Sequence, residues 1–214
     1  MSVFDSFLNN TYHSLGYYYK NYSSKADYYQ NLIREDTVQR LESLFRRQDS
    51  ALTDPNLSIE FRGIPFNSTD RYVLDKMGKA RHVYDNHTRI PTHKILFFKS
   101  KLHNFKTVSQ VHFLENRFFL AKYSFRCANH RDVECVLQVL KQKYFSPQLF
   151  GDNISAVKDL FGNALLVENS LRLNIYYLSG DPFFKQWATS QLQKKRKTEQ
   201  ERNQNRIREL LDYL

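Results

Sequence analysis

Apolar positions along the chain repeat at two spacings, one helical and one alternating, and their succession lays out the elements. Helical spacing over residues 3–20 (Phe4, Phe7, Leu8, Tyr12 and Leu15, then Tyr17 to Tyr19) predicts a first helix. A second is predicted over 25–47, where Ile33, Val38, Leu41, Leu44 and Phe45 share one broad face, although Arg34 falls inside that face and Leu32 outside it. The two are expected to pair as an antiparallel hairpin across 21–24. Residues 51–55 read as a linker. At 57–64, Leu57, Ile59 and Phe61 alternate with Ser58, Glu60 and Arg62, the period of a half-buried strand. Asp70 is placed to cap a short helix over 72–79, with Val73, Leu74 and Met77 on one face. Residues 81–91 have no apolar period and read as a loop.

Three strands in a row follow, at 93–101, 107–114 and 117–126. The first is apolar on both faces (Ile95 and Phe97; Leu96 and Phe98), as a central strand would be. In the third, Phe119, Ala121, Tyr123 and Phe125 form the expected core face. Phe118, Leu120, Lys122, Ser124 and Arg126 form the other, which turns basic toward its end. Asn129 and Asp132 mark a helix start, and Val133, Val136, Leu137, Leu140 and Tyr144 give its apolar stripe, ended by Pro147. A short helix is expected at 154–161. Strands at 164–168 and 171–178 form a hairpin around Asn169-Ser170, with Leu171, Leu173, Ile175 and Tyr177 buried. Asp181-Pro182 is an N-cap with proline at the first helical position, from which a helix can run to Leu214.

The fold class predicted is α+β: an antiparallel sheet of about five to six strands, built from a three-strand meander plus a hairpin and flanked by helices. Residues 1–192 are expected as a single domain, with the N-terminal helical hairpin (1–50) packed on it and 193–214 as a basic helical extension. No internal repeat is visible.

Composition adds a charge pattern. Within 79–131 stand eleven Lys and Arg against Asp85 and Glu115, a local balance of +9 out of +10 for the whole chain. Six of the seven histidines also fall there. Cations interleaved with aromatics on strands suit phosphates and unpaired bases, although the rings fall mainly on the expected core face. Lys94, Lys99, Lys101, Lys106, Arg117, Lys122 and Arg126 are therefore the candidate contacts to nucleic acid or to an acidic protein. The opposing reading is a sheet whose lysines only keep it soluble.

Candidate chemistry changes the picture little. Cys127, His130 and Cys135 form C-x2-H-x4-C, but without a second pair they do not make a zinc set, and Cys135 is expected packed beside the apolar stripe. Asp85, His87 and His93 match no catalytic spacing, and the six glycines are scattered singly, so there is no phosphate cradle. No cofactor or metal is expected, and the enzyme reading is disfavoured without being excluded. Two cysteines fit a reducing compartment. No signal peptide or membrane span is visible, so the Asn-x-Ser/Thr matches are expected to be incidental and the location cytoplasmic.

Near the C-terminus, residues 193–206 contain no large apolar side chain, and then Ile207, Leu210, Leu211 and Leu214 restore a stripe on one helix face. That stripe needs a covering surface: a second copy, another protein or the N-terminal helices. The leading expectation is a non-catalytic binding module whose basic meander engages an acidic partner, nucleic acid foremost. The alternative is an assembly protein using its N- and C-terminal helices.

Overall fold

The computed structural model describes residues 24–33, 37–87, 89–102, 105–125, 129–144, 156–169 and 173–213. The helix predicted over 3–20 lies outside them, as do Arg126, Cys127 and Leu214. The chain divides into two compact units, Met1–Arg34 and Glu35–Leu214. In the first, α1 (Lys25–Gln30) starts at Ser24, whose hydroxyl accepts from the Asp27 N–H at 3.1 Å, and it buries Tyr28 and Tyr29 edge to face. It ends at Asn31, just where Leu32 and Arg34 break the predicted helical face. The single helix expected over 25–47 is therefore two. The second, α2 (Val38–Asp49), begins afresh at Thr37, whose hydroxyl accepts from the Arg40 N–H, and it belongs to the second unit.

The second unit continues with β1 (Leu52–Thr53), α3 (Asp70–Met77), β2 (His82–Asp85), β3 (His93–Leu102), β4 (Phe105–Leu114) and β5 (Arg117–Phe125). After these come α4 (His130–Tyr144), β6 (Ala156–Lys158), β7 (Ala164–Asn169), β8 (Leu173–Leu178) and α5 (Pro182–Tyr213). The fold is mixed α+β, with one open eight-stranded sheet in the order β1-β6-β7-β8-β5-β4-β3-β2 and five helices among the described residues. Among the described strands only β1 and β6 pair in parallel. No helix of the described residues is long and apolar enough to cross a membrane.

The meander and hairpin account for five strands; β1, β2 and β6 are the additions. β2 falls in the predicted loop. It is an edge strand paired only with β3, and its exposure alternates around half-burial, so no apolar row was needed to hold it. β6 replaces the helix expected at 154–161 and is too short for either period to register. Residues 57–64 form no strand. Their alternation is real, since Ile59 and Phe61 are buried while Ser58 and Glu60 face out. Yet the Ile59 N–H donates to the Asp159 carboxylate, and only Phe61 and Ile64 bridge each other. Alternation reports which side is covered, not whether a neighbouring strand exists. The cap of α3 is Thr69 rather than Asp70. β7 and β8 pair as far as Asn169 with Leu173, so the expected two-residue link is too short.

A register shift between His112 and Phe113 alters the face assignment on β5. His112 stands opposite Leu120 and Phe113 opposite Phe118, leaving Phe119 as an extra residue. Phe118 therefore joins Ala121, Tyr123 and Phe125 on one face, and Phe119 turns with Leu120 to the other. Both faces are covered. The Tyr123 face packs against Val136, Leu140 and Tyr144 of α4, Val73 of α3 and Phe61. The Phe119 face packs against Leu41, Leu44 and Phe45 of α2 and Phe184 and Ala188 of α5, with the Phe119 and Phe184 rings stacked at 5.2 Å.

Four segments are tied at one polar node. Gln48 of α2 donates to the carbonyls of Gly162 and Ser179 at 2.7 and 2.8 Å, and Asn163 accepts from the Gly180 N–H at 2.8 Å. Asp159 accepts from the Asn163 backbone and side chain and from Ile59. Gly180 fits because it has no side chain: a Cβ there would overlap the Phe161 carbonyl and stand 2.7 Å from the Asn163 nitrogen, all backbone that cannot swing aside. Gly180→Ala is expected to lower unfolding free energy by about 3 kcal/mol or more. Gly78→Ala, with open space around it but at φ 80 and ψ −167, a backbone state nearly confined to glycine, is expected to cost less, about 1–3 kcal/mol, from backbone strain alone. Urea midpoints of the two variants measure the contrast, and equal losses would contradict it.

Candidate functional site

The sheet register decides which of the predicted cations can meet a partner. Lys94 pairs with Asp70 at 2.9 Å; that hydrogen bond raises its pKa, and it holds the Asp70 carboxyl below its usual range against the opposing effect of burial. Arg117 donates to Asp181 at 2.6 Å and to Asn67 at 2.9 Å, with its guanidinium over the Phe183 and Phe184 rings. Both pin helices to the sheet.

Lys122 is a correction. Its side chain was expected to contact phosphate or carboxylate, but it is 1% exposed and its ammonium lies 5.7 Å from the centre of the Tyr176 ring. The neighbouring strands explain this: β5 is central, with Gln110 on one side of Lys122 and Tyr176 on the other. The Tyr176 hydroxyl donates to Glu168 at 2.9 Å, and Glu168 also accepts from Arg40 and Arg47. Burial opposes the charge on both Arg40 and Glu168, but their mutual hydrogen bonds outweigh it, raising the arginine pKa and lowering the carboxyl's.

Lys99, Lys101 and Lys106 remain exposed. Lys99 and Lys101 alternate along β3, so both stand on the Lys122 side of the sheet, and Lys101 is directly opposite Lys106 across the ladder. The Arg81 N–H donates to the Phe97 carbonyl, which brings the exposed Lys79 and Arg81 toward the same end. β3 and β4 contain no acid. The aromatics of the meander do not join them: Phe97, Phe98, Phe113, Phe118, Phe119, Tyr123 and Phe125 are buried, and the half-buried Phe105 lies on the other face beside Phe125.

The histidines of the meander split likewise. His87 is exposed, whereas His93 and His112 are fully buried and stacked, with Nε2 of His93 3.1 Å from Nδ1 of His112. Asn86, whose own carbonyl oxygen lies 3.5 Å from the Tyr84 hydroxyl, donates to Nδ1 of His93. That fixes the protons: His93 carries its proton on Nε2 and gives it to His112, whose proton must sit on its own Nε2. This last N–H has no hydrogen-bond partner among the described residues. Burial pushes His93 down to about 3, and burial first, then His93 and Lys122, push His112 well below the ordinary range.

Cys135 is exposed on α4 rather than packed, because the stripe of that helix falls on Val136 and Leu140. His130 reaches Glu134 on the same helix at 3.3 Å. On α5, every residue from 193 to 211 is exposed, including Ile207, Leu210 and Leu211.

Two buried neutral histidines make stability pH-dependent. Their pKa values are depressed in the folded chain, so the unfolded chain takes up protons first as pH falls. Stability is therefore complete above about pH 6.5 and declines below it, by up to roughly 1.4 kcal/mol per pH unit for each histidine. Urea midpoints from pH 7 to 5 are expected to show this decline. His112→Asn is expected to remove about half of it, and an unchanged slope in that variant would refute the assignment.

No protein-family model matches this chain, and comparison with curated proteins and with solved structures finds no match either.

Proposed function

We propose that this chain is a non-catalytic binding module that engages a polyanion, nucleic acid foremost, through the basic end of β2, β3 and β4. The observation that carries the reading is the cross-strand pair Lys101 and Lys106, with Lys99 on the same face and no acid on either strand. Like charges directly opposite on a ladder destabilise it, and a bound anion reverses the sign of that interaction. Lys79 and Arg81 extend the cluster. Buried aromatics offer no stacking platform, so recognition is of the phosphate backbone rather than of bases. An acidic protein is the other partner this surface suits.

Labelled single- and double-stranded oligonucleotides titrated at two salt concentrations test it. Affinity is expected to fall with salt, with a log–log slope of about −0.7 per phosphate contact on single strands. Reversal of Lys99, Lys101 and Lys106 to Glu is expected to weaken binding at least about tenfold more than reversal of Lys194, Lys195 and Lys197. Equal effects, or no binding at low salt, would defeat the proposal.

A second reading, an assembly component, is supported by α5. Ile207, Leu210 and Leu211 are 56–66% exposed at the end of a solvent-surrounded helix, an apolar stripe that favours a covering partner or second copy. Deleting residues 207–214 is then expected to abolish the oligomer or complex while leaving the thermal midpoint unchanged. Unchanged hydrodynamic size and partner binding would remove this reading.

A further inference from the structure

On the opposite side of the sheet from Lys99 and Lys101, α4 stands off the strands and leaves a cleft of about 740 Å³, within the range of small-molecule sites. Its walls are mostly hydrocarbon: Phe105 and Phe125, edge to face, and Val139 and Leu140 of α4. Three phenols, Tyr123, Tyr144 and Tyr177, line it although each is at most 7% exposed. Among the described residues its polar edge holds Arg62 and Lys143 against a single acid, Glu60.

Arg62 reaches this place by an unusual backbone. Phe61 and Ile64 bridge each other, so Arg62-Gly63 is a two-residue turn with φ of 57 and 68. A turn with both central residues left-handed favours Asn-Gly, and an arginine there is disfavoured on local grounds. The phenols are set as donors. Burial raises the pKa of Tyr123, with the neighbouring Arg62 charge opposing it, and raises that of Tyr177, so both phenols keep their protons. A phenol carries one O–H donor, so Tyr123 and Tyr144, both lining the cleft, can each offer one to a guest.

We infer that the cleft binds a small amphipathic carboxylate, its hydrocarbon body between α4 and the sheet and its carboxylate at Arg62 and the Tyr123 and Tyr144 hydroxyls. A carboxylate accepts the fork of a guanidinium and two phenolic protons together, whereas a cation would meet Arg62 and Lys143.

Titration of laurate into the full chain by calorimetry tests this, with dodecyltrimethylammonium as the cation of matched chain. Laurate is expected to bind saturably at one site, and the ammonium compound at least tenfold more weakly. Arg62→Asn keeps the turn, since asparagine favours that φ, and is expected to weaken laurate at least tenfold with no loss of thermal midpoint. In a Cys127→Ser chain, laurate is expected to slow maleimide labelling of Cys135, which lines the cleft. Absence of saturable binding, equal affinity for the cation, unchanged affinity in Arg62→Asn, or labelling of Cys135 unaffected by laurate would each overturn the inference. None of these readouts depends on the lysines of the other face.

Discussion

Over 95–98, 107–114, 118–125 and 173–178 the sheet is covered on both faces, and most of this molecule follows from that constraint. A strand exposes alternate side chains to opposite sides, so a stretch covered on two faces buries every residue, polar ones included. β8 shows the result: all six of its residues are buried, with Leu173, Ile175 and Tyr177 turned to α4 and Tyr176 and Leu178 to α2 and α5. The bulge at Phe119 serves the same end. One extra residue lets Phe118 fill the α4 side while Phe119 stacks on Phe184 of α5, so both layers receive a large ring from one strand.

Polar groups caught in such a sheet must find partners inside it, because an unpaired buried polar atom costs on the order of 1–3 kcal/mol. The Lys122, Tyr176, Glu168, Arg40 and Arg47 series does this by running from the sheet centre to α2, where Glu168 is still partly solvated. His93 and His112 solve the same problem by staying neutral and passing one hydrogen bond to the next. Ser124 and Asn174 pair across β5 and β8 at 2.8 Å for the same reason. These groups specify the register of the ladder, since a slip of one residue would turn each toward the hydrocarbon side.

The cations outside this interior divide by the same geometry. Lys94 and Arg117 lie near the turns that α3 and α5 reach, and both are consumed in holding those helices. Lys99, Lys101 and Lys106 lie at the opposite end of β3 and β4, strands that contain no acid. On the far side the sheet and α4 leave room between them, and Arg62, held in a left-handed turn that local preference disfavours, sits at that opening.

Local patterning by itself determined much of this chain. The 93–126 meander, the 164–178 hairpin, the stripe of α4 and the Pro182 start of α5 are all legible, because each spans several repeats of one period or has a cap whose chemistry is specific. The Asn129 and Asp132 cap was also legible; their side chains and N–H groups exchange hydrogen bonds in the fold. Of the candidate site, the exposed lysines near the 102–105 hairpin end and the bare stripe of α5 could be read from residue order. Burial of Lys122, pairing of His93 with His112, and the Arg62 cleft could not. Each depends on which strands and helices become neighbours: β8 beside β5 seals Lys122 in, and β3 beside β4 stacks two imidazoles nineteen residues apart. Likewise α4, lying over β5 and β8, gathers three tyrosines from three elements. A period tells which side of a strand is covered. What covers it is settled only by tertiary contacts between distant segments, and there the same lysine becomes either a surface charge or a core residue.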